Sequence, residues 1–183
     1  MEDKKKLSIF QHIVKQRIFV GYIAAILFII FAKPTKITVF SGFFFCIIGE
    51  VIRTLSAGTI MKNKILTTTG PYSHVRNPLY FGSFLIGLGV CIMGNNFLVV
   101  ALYIPLFLII YREKIKNEEK KLREIFKEKL DEYIENVPRF FPRLTPWKKE
   151  KMKFELRLVK VHKEYQAWIG IYAVSIIMLL MTK

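Results

Sequence analysis

Cysteine is scarce in this sequence, and the two cysteines present form no known motif. Cys46 and Cys91 lie far apart, each inside an apolar run, and the chain holds only three histidines. A disulfide framework or a cysteine-histidine metal site needs several such residues at short spacings. We therefore predict that both cysteines are small buried hydrophobic residues, with no disulfide and no metal site.

Acidic residues are also few. Fourteen aspartates and glutamates stand against 29 lysines and arginines, and 52% of the residues are hydrophobic. A basic excess is common in nucleic-acid-binding proteins. Here, however, the basic residues form blocks between apolar runs and not one soluble basic module. This pattern indicates a membrane protein with basic loops, so we expect contacts with membrane lipids and no nucleic-acid partner.

The sequence shows no features that would divide it into parts. We find no internal repeat, low-complexity tract or linker, which predicts a single domain over residues 1–183. The N-terminal segment does not resemble a cleavable signal peptide, because its apolar run begins late and no small-residue cleavage site follows before Lys33.

Five apolar runs dominate the chain. They are Ile18–Ala32, Ile37–Ile52, Leu79–Met93, Phe97–Tyr111 and Trp168–Met181. Each is slightly shorter than the ~20 residues that cross a bilayer unaided, but flanking aromatic and basic residues can extend it. Because so small a chain cannot bury five such helices in one soluble core, we predict an all-α, polytopic integral membrane protein with about five transmembrane helices.

The links between the runs predict its orientation. The N-terminal arm, the 53–77 link and the 112–163 segment are basic, whereas the links at 33–36 and 94–96 are very short. By the positive-inside rule the three basic segments are cytoplasmic, which places the N-terminus inside and the C-terminus outside. The cytoplasmic segments would then form a small cap on the helices.

The fourth run is predicted to continue without a break into a charged helix that ends near residue 137. Six residues recur three or four positions apart and would share one packed face of this helix: Ile115, Glu119, Leu122, Phe126, Leu130 and Tyr133. Because a carboxylate on a packed face needs a partner, Glu119 and its neighbour Glu118 are candidate functional residues. Lys114 and Arg112 are spaced to share their face; a salt-bridged surface helix is the alternative.

Two further segments stand out. Asn77 is a good N-cap and Pro78 suits a first helical turn, so the third run begins there and its free N–H groups, with Arg76, would bind an anion. The alternative is simply a well-capped helix. From Trp147 to about Tyr165 the chain is basic and amphipathic, which predicts a helix at the headgroup surface leading into the last span, so that residues 147–183 form a C-terminal unit.

The order of four motifs resembles the isoprenylcysteine carboxyl methyltransferase family and the related phospholipid methyltransferases. The motifs are Gly70-Pro71-Tyr72, Arg76-Asn77-Pro78-Leu79-Tyr80, Glu118-Glu119-Lys120-Lys121-Leu122 and Pro138-Arg139-Phe140-Phe141-Pro142. This resemblance implies a methyltransferase that uses S-adenosyl-L-methionine, with a cofactor-binding core at about residues 62–142. Three positions depart from the family pattern: Asn77 replaces the more frequent histidine, Lys127 replaces the glycine of the usual Phe-Gly, and Lys114 stands where the family often has arginine.

The resemblance also implies a set of site residues, to which Arg76 is added from the charge argument above. The expected cofactor-binding residues are Lys64, Ile65, Leu66, Thr67, Tyr72, Arg76, Asn77, Pro78, Leu79, Tyr80 and Glu118. Lys114 takes a position near the substrate where the family often has arginine. Only the planar guanidinium of arginine binds a carboxylate through two parallel hydrogen bonds. Arg112 or Arg139 would therefore make that contact with a substrate carboxylate. Glu119 or His74 would be the base if the acceptor needs one.

The methyl acceptor stays open at this level. A prenylcysteine-like carboxylate needs no base, in agreement with the missing His-Asp and Cys-His pairs, whereas isoprenoid, phenolic or phospholipid acceptors remain open. Its apolar tail would enter from the lipid, and Gly82, Ser83, Gly87 and Gly89 either open a slot for it or pack against another helix. A small chain of this type suggests a prokaryotic cytoplasmic membrane. The alternatives are a membrane NADPH-dependent sterol or enone reductase and a non-catalytic lipid-binding scaffold.

Overall fold

The computed structural model describes residues 28–61 and 65–182, and the regular structure in those ranges is entirely helical. The elements are α1 (Lys36–Ala57), a 3-10 helix (Gly70–Ser73), α2 (Pro78–Met93), α3 (Phe97–Phe126), α4 (Glu128–Asn136), α5 (Leu156–Val161) and α6 (Tyr165–Leu180). The predicted all-α class is confirmed. The N-terminal arm and most of the run Ile18–Ala32 lie outside the described residues.

Three described helices are strongly apolar. α1, with 22 residues, is long and apolar enough to cross a membrane, whereas α2 and α6 are shorter apolar helices of 16 residues each. α1 begins at a capping box, in which Thr35 Oγ1 accepts from Thr38 N–H at 3.2 Å and Thr38 Oγ1 accepts from Thr35 N–H at 2.9 Å. α1 therefore starts where the sequence predicted, but it continues to Ala57, beyond the predicted run.

The two ends of the bundle differ. At one end the short links before α1 and after α2 meet, since Lys33 N–H donates to Gly94 O and the Asn95 amide donates to Lys33 O, both at 3.0 Å. At the other end lie the loop of residues 58–77, α4 and the segment before α6. All the predicted site residues in the described ranges belong to this second end or to the adjoining turns of α2 and α3.

α1 and α2 pack closely because glycines of the two helices face each other. A Cβ added at Gly42 would lie 2.3 Å from Gly89 O, and one added at Gly49 would lie 2.6 Å from Gly82 O. The space beside Gly82 and Gly89 is thus filled by the backbone of α1, and the space beside Gly87 is filled by Tyr103 of α3. The slot for a lipid tail suggested at these glycines is wrong; close helix packing is the correct alternative.

This contact gives a stability prediction. Gly42→Ala should destabilise the protein by about 1–3 kcal/mol, because the new methyl group meets backbone atoms that cannot move independently. Gly170→Ala is the matched control, since Gly170 on α6 has open space around it and should gain slightly from alanine's helix propensity. Thermal unfolding of both variants in detergent measures the difference. Equal melting temperatures for the two variants would contradict the packing described.

α3 and α4 do not form the continuous helix that the sequence predicted. α3 ends at Phe126, Lys127 adopts φ +45°, and α4 follows from Glu128 to Asn136. The break lets Leu130 and Tyr133 of α4 pack with Leu66 of the 58–77 loop. Periodicity could not reveal it, because the apolar positions stay three and four apart across the break.

Lys127 occupies a backbone conformation that side chains rarely adopt. Its φ of +45° with ψ of −126° is suited to glycine. We expect Lys127→Gly to stabilise the protein by roughly 1 kcal/mol, the relief of strain outweighing the greater freedom of glycine in the unfolded chain. Lys129→Gly, inside α4, is the control and should destabilise by about 1 kcal/mol. A lower melting temperature for Lys127→Gly would show that the position is not strained.

Residues 147–155 form an irregular segment, here called the strap, and not the amphipathic helix predicted for this region. Only Leu156–Val161 is helical. The strap is held to the 58–77 loop by hydrogen bonds from Trp147 N–H to Ser73 O at 2.9 Å and from Glu155 N–H to Gly58 O at 2.8 Å. Phe154 covers Gly58, and Met152 covers Gly70. At Trp147 and Glu155 these contacts replace the hydrogen bonds that a helix would supply.

Candidate functional site

Charged residues from three segments meet at the start of α2. Tyr80 Oη, in the first turn of α2, donates to Glu118 Oε1 of α3 at 2.5 Å. On the same helix Glu119 pairs with Arg76 at 2.8 Å and with Arg139, whose Nε and Nη2 lie 3.2 and 2.8 Å from the carboxylate oxygens. Three predicted motifs therefore form one cluster, of which the third, Pro138 to Pro142, is here called the Pro-Arg segment; 62 residues separate Asn77 from Arg139.

Backbone contacts hold the Pro-Arg segment against the turn before α2. The Asn77 side-chain amide donates to Arg139 O, and Arg76 N–H donates to Pro138 O, both at 2.9 Å. His74 Nδ1 donates to Arg143 O at 2.9 Å, and Arg143 N–H donates back to His74 O at 3.0 Å. α2 does begin at Pro78, but the predicted side-chain cap by Asn77 is wrong, because its amide is engaged with Arg139.

Arg76 is the inner cation of the cluster. Its side chain is 10% exposed, and burial lowers the pKa of its guanidinium while Glu119 opposes that effect. Its buried Nε has no hydrogen-bond partner, and Nη1 approaches Glu119 as an ion pair without the alignment of a hydrogen bond. Two guanidinium groups thus share one carboxylate, and the excess positive charge suits an anionic group.

Lys114 does not form the ion pair that its spacing from Glu118 allowed. Its Nζ lies 4.9 Å from the ring centroid of Tyr80 and 5.5 Å from that of Tyr111. The two rings are themselves in edge contact, with centroids 4.9 Å apart. Arg112 is exposed and pairs with neither glutamate among the described residues. Lys114 therefore reaches the cluster through aromatic faces, whereas Arg112 stays outside it.

An aromatic group forms the wall beside this cluster. Phe140, from the Pro-Arg segment, inserts between α2 and α3, with its ring centroid 5.6 Å from Phe84 and 6.2 Å from Phe107. Phe107 in turn stacks on Tyr111 at 3.9 Å. Phe140 therefore packs inward and covers the cluster, whereas its neighbour Phe141 is 63% exposed. This wall keeps one side of the cluster apolar.

Tyr72 lies on the inner side. Its carbonyl accepts a hydrogen bond from Tyr133 Oη at 2.6 Å, and its own buried hydroxyl has no hydrogen-bond partner. Burial raises the pKa of both phenols, so both stay neutral. Sequence reasoning did not predict the pairing of Tyr133 with this turn. An unpartnered buried hydroxyl is unusual and marks a place where a ligand atom would complete the hydrogen bonding.

The remaining predicted cofactor residues are less concentrated. Pro78 is fully buried and Leu79 is half-buried, both at the start of α2. Ile65, Leu66 and Thr67 line a different part of the loop, a cavity of about 210 Å³ to which neither Tyr80 nor Glu118 contributes. Lys64 lies outside the described residues.

A second charged cluster, inside the helix bundle, was not predicted. Arg53 of α1 binds Glu164 through two nitrogens, at 2.8 and 3.1 Å, and donates to Ser83 of α2 at 2.6 Å. Glu50, which is fully buried, lies 3.4 Å from the Arg53 Nε and accepts from Thr54 at 3.3 Å. The available signal was an acid and a base three residues apart at the end of an apolar run, where charges are costly.

Comparison with known proteins gives a family match. The phospholipid methyltransferase family model matches residues 17–129, which include three of the four motifs but not the Pro-Arg segment. The cobalt-zinc-cadmium resistance protein CzcN of Cupriavidus metallidurans is 38% identical over 89 residues, 49% of this chain and 41% of that protein.

Two enzymes from yeasts are also similar. The protein-S-isoprenylcysteine O-methyltransferase of Schizosaccharomyces pombe is 29% identical over 94 residues, 51% of this chain and 40% of the enzyme. The enzyme of the same name from Saccharomyces cerevisiae is 29% identical over 119 residues, 58% of this chain and 50% of the enzyme. The chain therefore spans half or less of the length of the curated relatives that it matches.

Proposed function

Because the chain belongs to the phospholipid methyltransferase family, in agreement with its motifs, we propose that it transfers a methyl group from S-adenosyl-L-methionine to a lipophilic acceptor at the cytoplasmic face of a membrane. The observation that carries this proposal is the meeting of Tyr80, Glu118, Glu119, Arg76 and Arg139 in one cluster at the start of α2. These residues come from motifs far apart in sequence, and nothing but the fold brings them together.

The cluster has the chemical groups that this cofactor requires. Its amino acid part carries an ammonium and a carboxylate, and the cluster offers Glu118 for the first and the excess charge of Arg76 and Arg139 for the second. The unpartnered hydroxyl of Tyr72 gives a further hydrogen-bond donor. When bound, the cofactor supplies a methyl group already activated by its sulfonium. The residues present therefore fit the group.

In this proposal the protein acts mainly by positioning and by excluding water. Glu118 is oriented by the Tyr80 hydroxyl, and Glu119 holds Arg76 and Arg139 in place. Phe140 and its aromatic neighbours cover the apolar side. Lys114, which lies over two tyrosine rings, and Arg139, which is 47% exposed, would be the cations that meet a substrate anion.

The acceptor proposed is a prenylcysteine-like carboxylate or another isoprenoid or lipid group. A carboxylate is ionised at neutral pH and needs no base. An amine or phenol would need one. Glu119 is occupied by two arginines. His74 donates from Nδ1 to Arg143 O, which leaves the lone pair on its Nε2, so His74 would be the candidate base for an amine or phenol. A carboxylate acceptor, which needs no base, is the simpler fit to the site.

The membrane placement proposed has five spans with the cap in the cytoplasm. Large apolar side chains are exposed to the surroundings on three helices: Ile37, Phe40 and Phe44 on α1, Leu102, Leu106 and Ile109 on α3, and Ile169 and Ile176 on α6. Apolar surface of this extent is expected to face lipid. The fifth span would come from the run Ile18–Ala32. A prokaryotic cytoplasmic membrane agrees with the bacterial relative CzcN.

Calorimetry on the detergent-purified protein tests the proposal. S-adenosylhomocysteine should bind with micromolar affinity. NADPH, the cofactor that the alternative membrane reductase would use, should not bind. A labelled methyl group from S-adenosylmethionine should then appear in a prenylcysteine analogue. Binding of NADPH alone, or of neither ligand to folded protein, would refute the methyltransferase assignment.

A further inference from the structure

Two tyrosine rings meet beside the carboxylate of Glu118. The rings of Tyr80 and Tyr111, here called the tyrosine pair, are in edge contact with centroids 4.9 Å apart, and the Tyr80 hydroxyl donates to Glu118 Oε1 at 2.5 Å. A phenol that donates to a carboxylate gains electron density in its ring, and the faces of such rings attract cations. The tyrosine pair therefore has the chemistry of a cation-binding site.

The tyrosine pair rests on a buried aromatic ring. Phe107, one turn earlier on α3, stacks on Tyr111 with ring centroids 3.9 Å apart and planes 13° apart. Phe107 is 8% exposed, whereas Tyr80 and Tyr111 are half-buried. Because Phe107 fixes the pair from behind, little side-chain freedom is lost when a ligand binds to the rings.

The ammonium of Lys114 lies on this pair. Its Nζ is 4.9 Å from the ring centroid of Tyr80 and 5.5 Å from that of Tyr111, within the ~6 Å over which a ring attracts a cation. Lys114 takes this position although Glu118 stands one turn later on the same helix, at the spacing of an ion pair. Lys114 is exposed, and its long side chain can turn outward into water. The rings thus hold a cation that another cation can replace.

The cofactor proposed above carries a cation of the required kind. Its sulfonium is joined by a short carbon chain to the ammonium assigned to Glu118, and Glu118 accepts from the ring hydroxyl of Tyr80. A sulfonium carries its charge without an N–H or O–H donor, so ring faces suit it better than hydrogen-bond acceptors do. Methyl transfer breaks the carbon–sulfur bond and leaves its electron pair on sulfur. The product is therefore neutral at the atom that the rings would attract.

We propose that Tyr80 and Tyr111 bind the sulfonium of S-adenosyl-L-methionine and that Lys114 competes with it for the same ring faces. The inference rests on the proposed function and adds to it Tyr111 and the competition by Lys114. The cofactor displaces the lysine, whose ammonium is then available to a substrate anion. After transfer the neutral sulfur holds the rings less well, so the return of Lys114 favours release of the product.

Calorimetry on the full chain in detergent tests the site with two ligands. S-adenosylmethionine and S-adenosylhomocysteine differ in one methyl group and in the charge on sulfur, so the ratio of their affinities, here called the affinity ratio, reports on the charge. Tyr111→Leu should lower the affinity ratio about 3- to 10-fold, the effect of losing one ring face. Tyr111→Phe keeps the ring and should preserve the ratio. A loss of folded protein reduces the binding of both ligands alike and leaves the ratio unchanged.

The sign of the effect at Lys114 tests the competition. Lys114→Gln should raise the affinity for S-adenosylmethionine about 3- to 10-fold and that for S-adenosylhomocysteine by less, because the competing ammonium and its repulsion of the sulfonium are both removed. A lysine that itself bound the cofactor would give a lower affinity when replaced. Lys116→Gln is the matched control, since it removes an exposed lysine two residues later on α3 and should leave both affinities unchanged.

Three results would overturn the inference. They are an unchanged affinity ratio in Tyr111→Leu, an affinity for S-adenosylmethionine in Lys114→Gln that is no higher than in the unaltered chain, and an equal rise in Lys116→Gln. In each case, binding of both ligands to the unaltered chain would leave the methyltransferase proposal standing. If the unaltered, folded chain bound neither ligand, the methyltransferase proposal and this inference would both fail.

Discussion

Replacement of Arg53 by leucine should lower Tm by roughly 6–12 °C, which corresponds to a loss of about 3 kcal/mol. Arg53 is the one cation in contact with Glu50 and Glu164 among the described residues, and these two carboxylates are 0% and 5% exposed. Without it, both carboxylates are buried with no counter-charge and must either stay charged or take up a proton, each at a cost, and the tie from α1 to Ser83 of α2 is lost as well. Thermal unfolding in detergent measures the effect.

A matched control and a rescue make this test specific. Arg157→Leu removes an arginine that is 82% exposed and lies 3.7 Å from Glu155, so its effect should be close to zero. Combining Arg53→Leu with Glu50→Gln and Glu164→Gln should recover much of the loss, because neutral side chains do not require a buried counter-charge. Equal melting temperatures for Arg53→Leu and Arg157→Leu would show that the cluster does not stabilise the bundle.

Glu118→Gln should weaken S-adenosylhomocysteine binding roughly 10- to 100-fold, the effect of losing a hydrogen bond to a charged group. The substitution keeps the size of the side chain and its contact with Tyr80 but removes the negative charge that the cofactor's ammonium requires. Since Glu118 is exposed, Tm should hardly change. Calorimetry gives the affinity, and methyl transfer should fall in parallel at limiting cofactor.

Glu124→Gln is the control for this prediction. Glu124 is exposed on the same helix, two turns nearer to its end, and takes no part in the cluster. The affinity of this variant should equal that of the unaltered chain. Normal affinity in Glu118→Gln would mean that the ammonium is bound elsewhere, and the assignment of the cluster to the cofactor would fail.

The sequence predicted the helices well and their ends less well. Apolar runs gave α2 and α6 to within a few residues, because long apolar segments leave little choice of structure. The break at Lys127 escaped prediction because a lysine itself carries no signal for positive φ; the available signal was the glycine that the family usually has at this position. The strap escaped because its contacts are with Gly58 and Gly70, far away in sequence.

The candidate site shows the same division. Motif order identified Tyr80, Glu118 and Arg139, which the structure brings into one cluster. Local spacing, in contrast, suggested helix partners for the glutamates, whereas Tyr80 and the arginines from two other segments are the actual ones. Intrahelical pairs are weak, so tertiary contacts with better geometry prevail over them. The roles of these residues in catalysis stay predictions.

The way the cap is joined has a consequence for the order in which the protein is made. Ser73, His74 and Arg76 receive their backbone partners from residues 138–147, which leave the ribosome much later. At about 5–20 residues per second, the 71 residues from Arg76 to Trp147 take roughly 4–14 s to be synthesised. In the membrane placement proposed above, α1 and α2 can already lie side by side in the membrane during that interval, while the turn before α2 still lacks its cover. Nascent chains halted before residue 138 should therefore insert normally and yet have no affinity for S-adenosylhomocysteine.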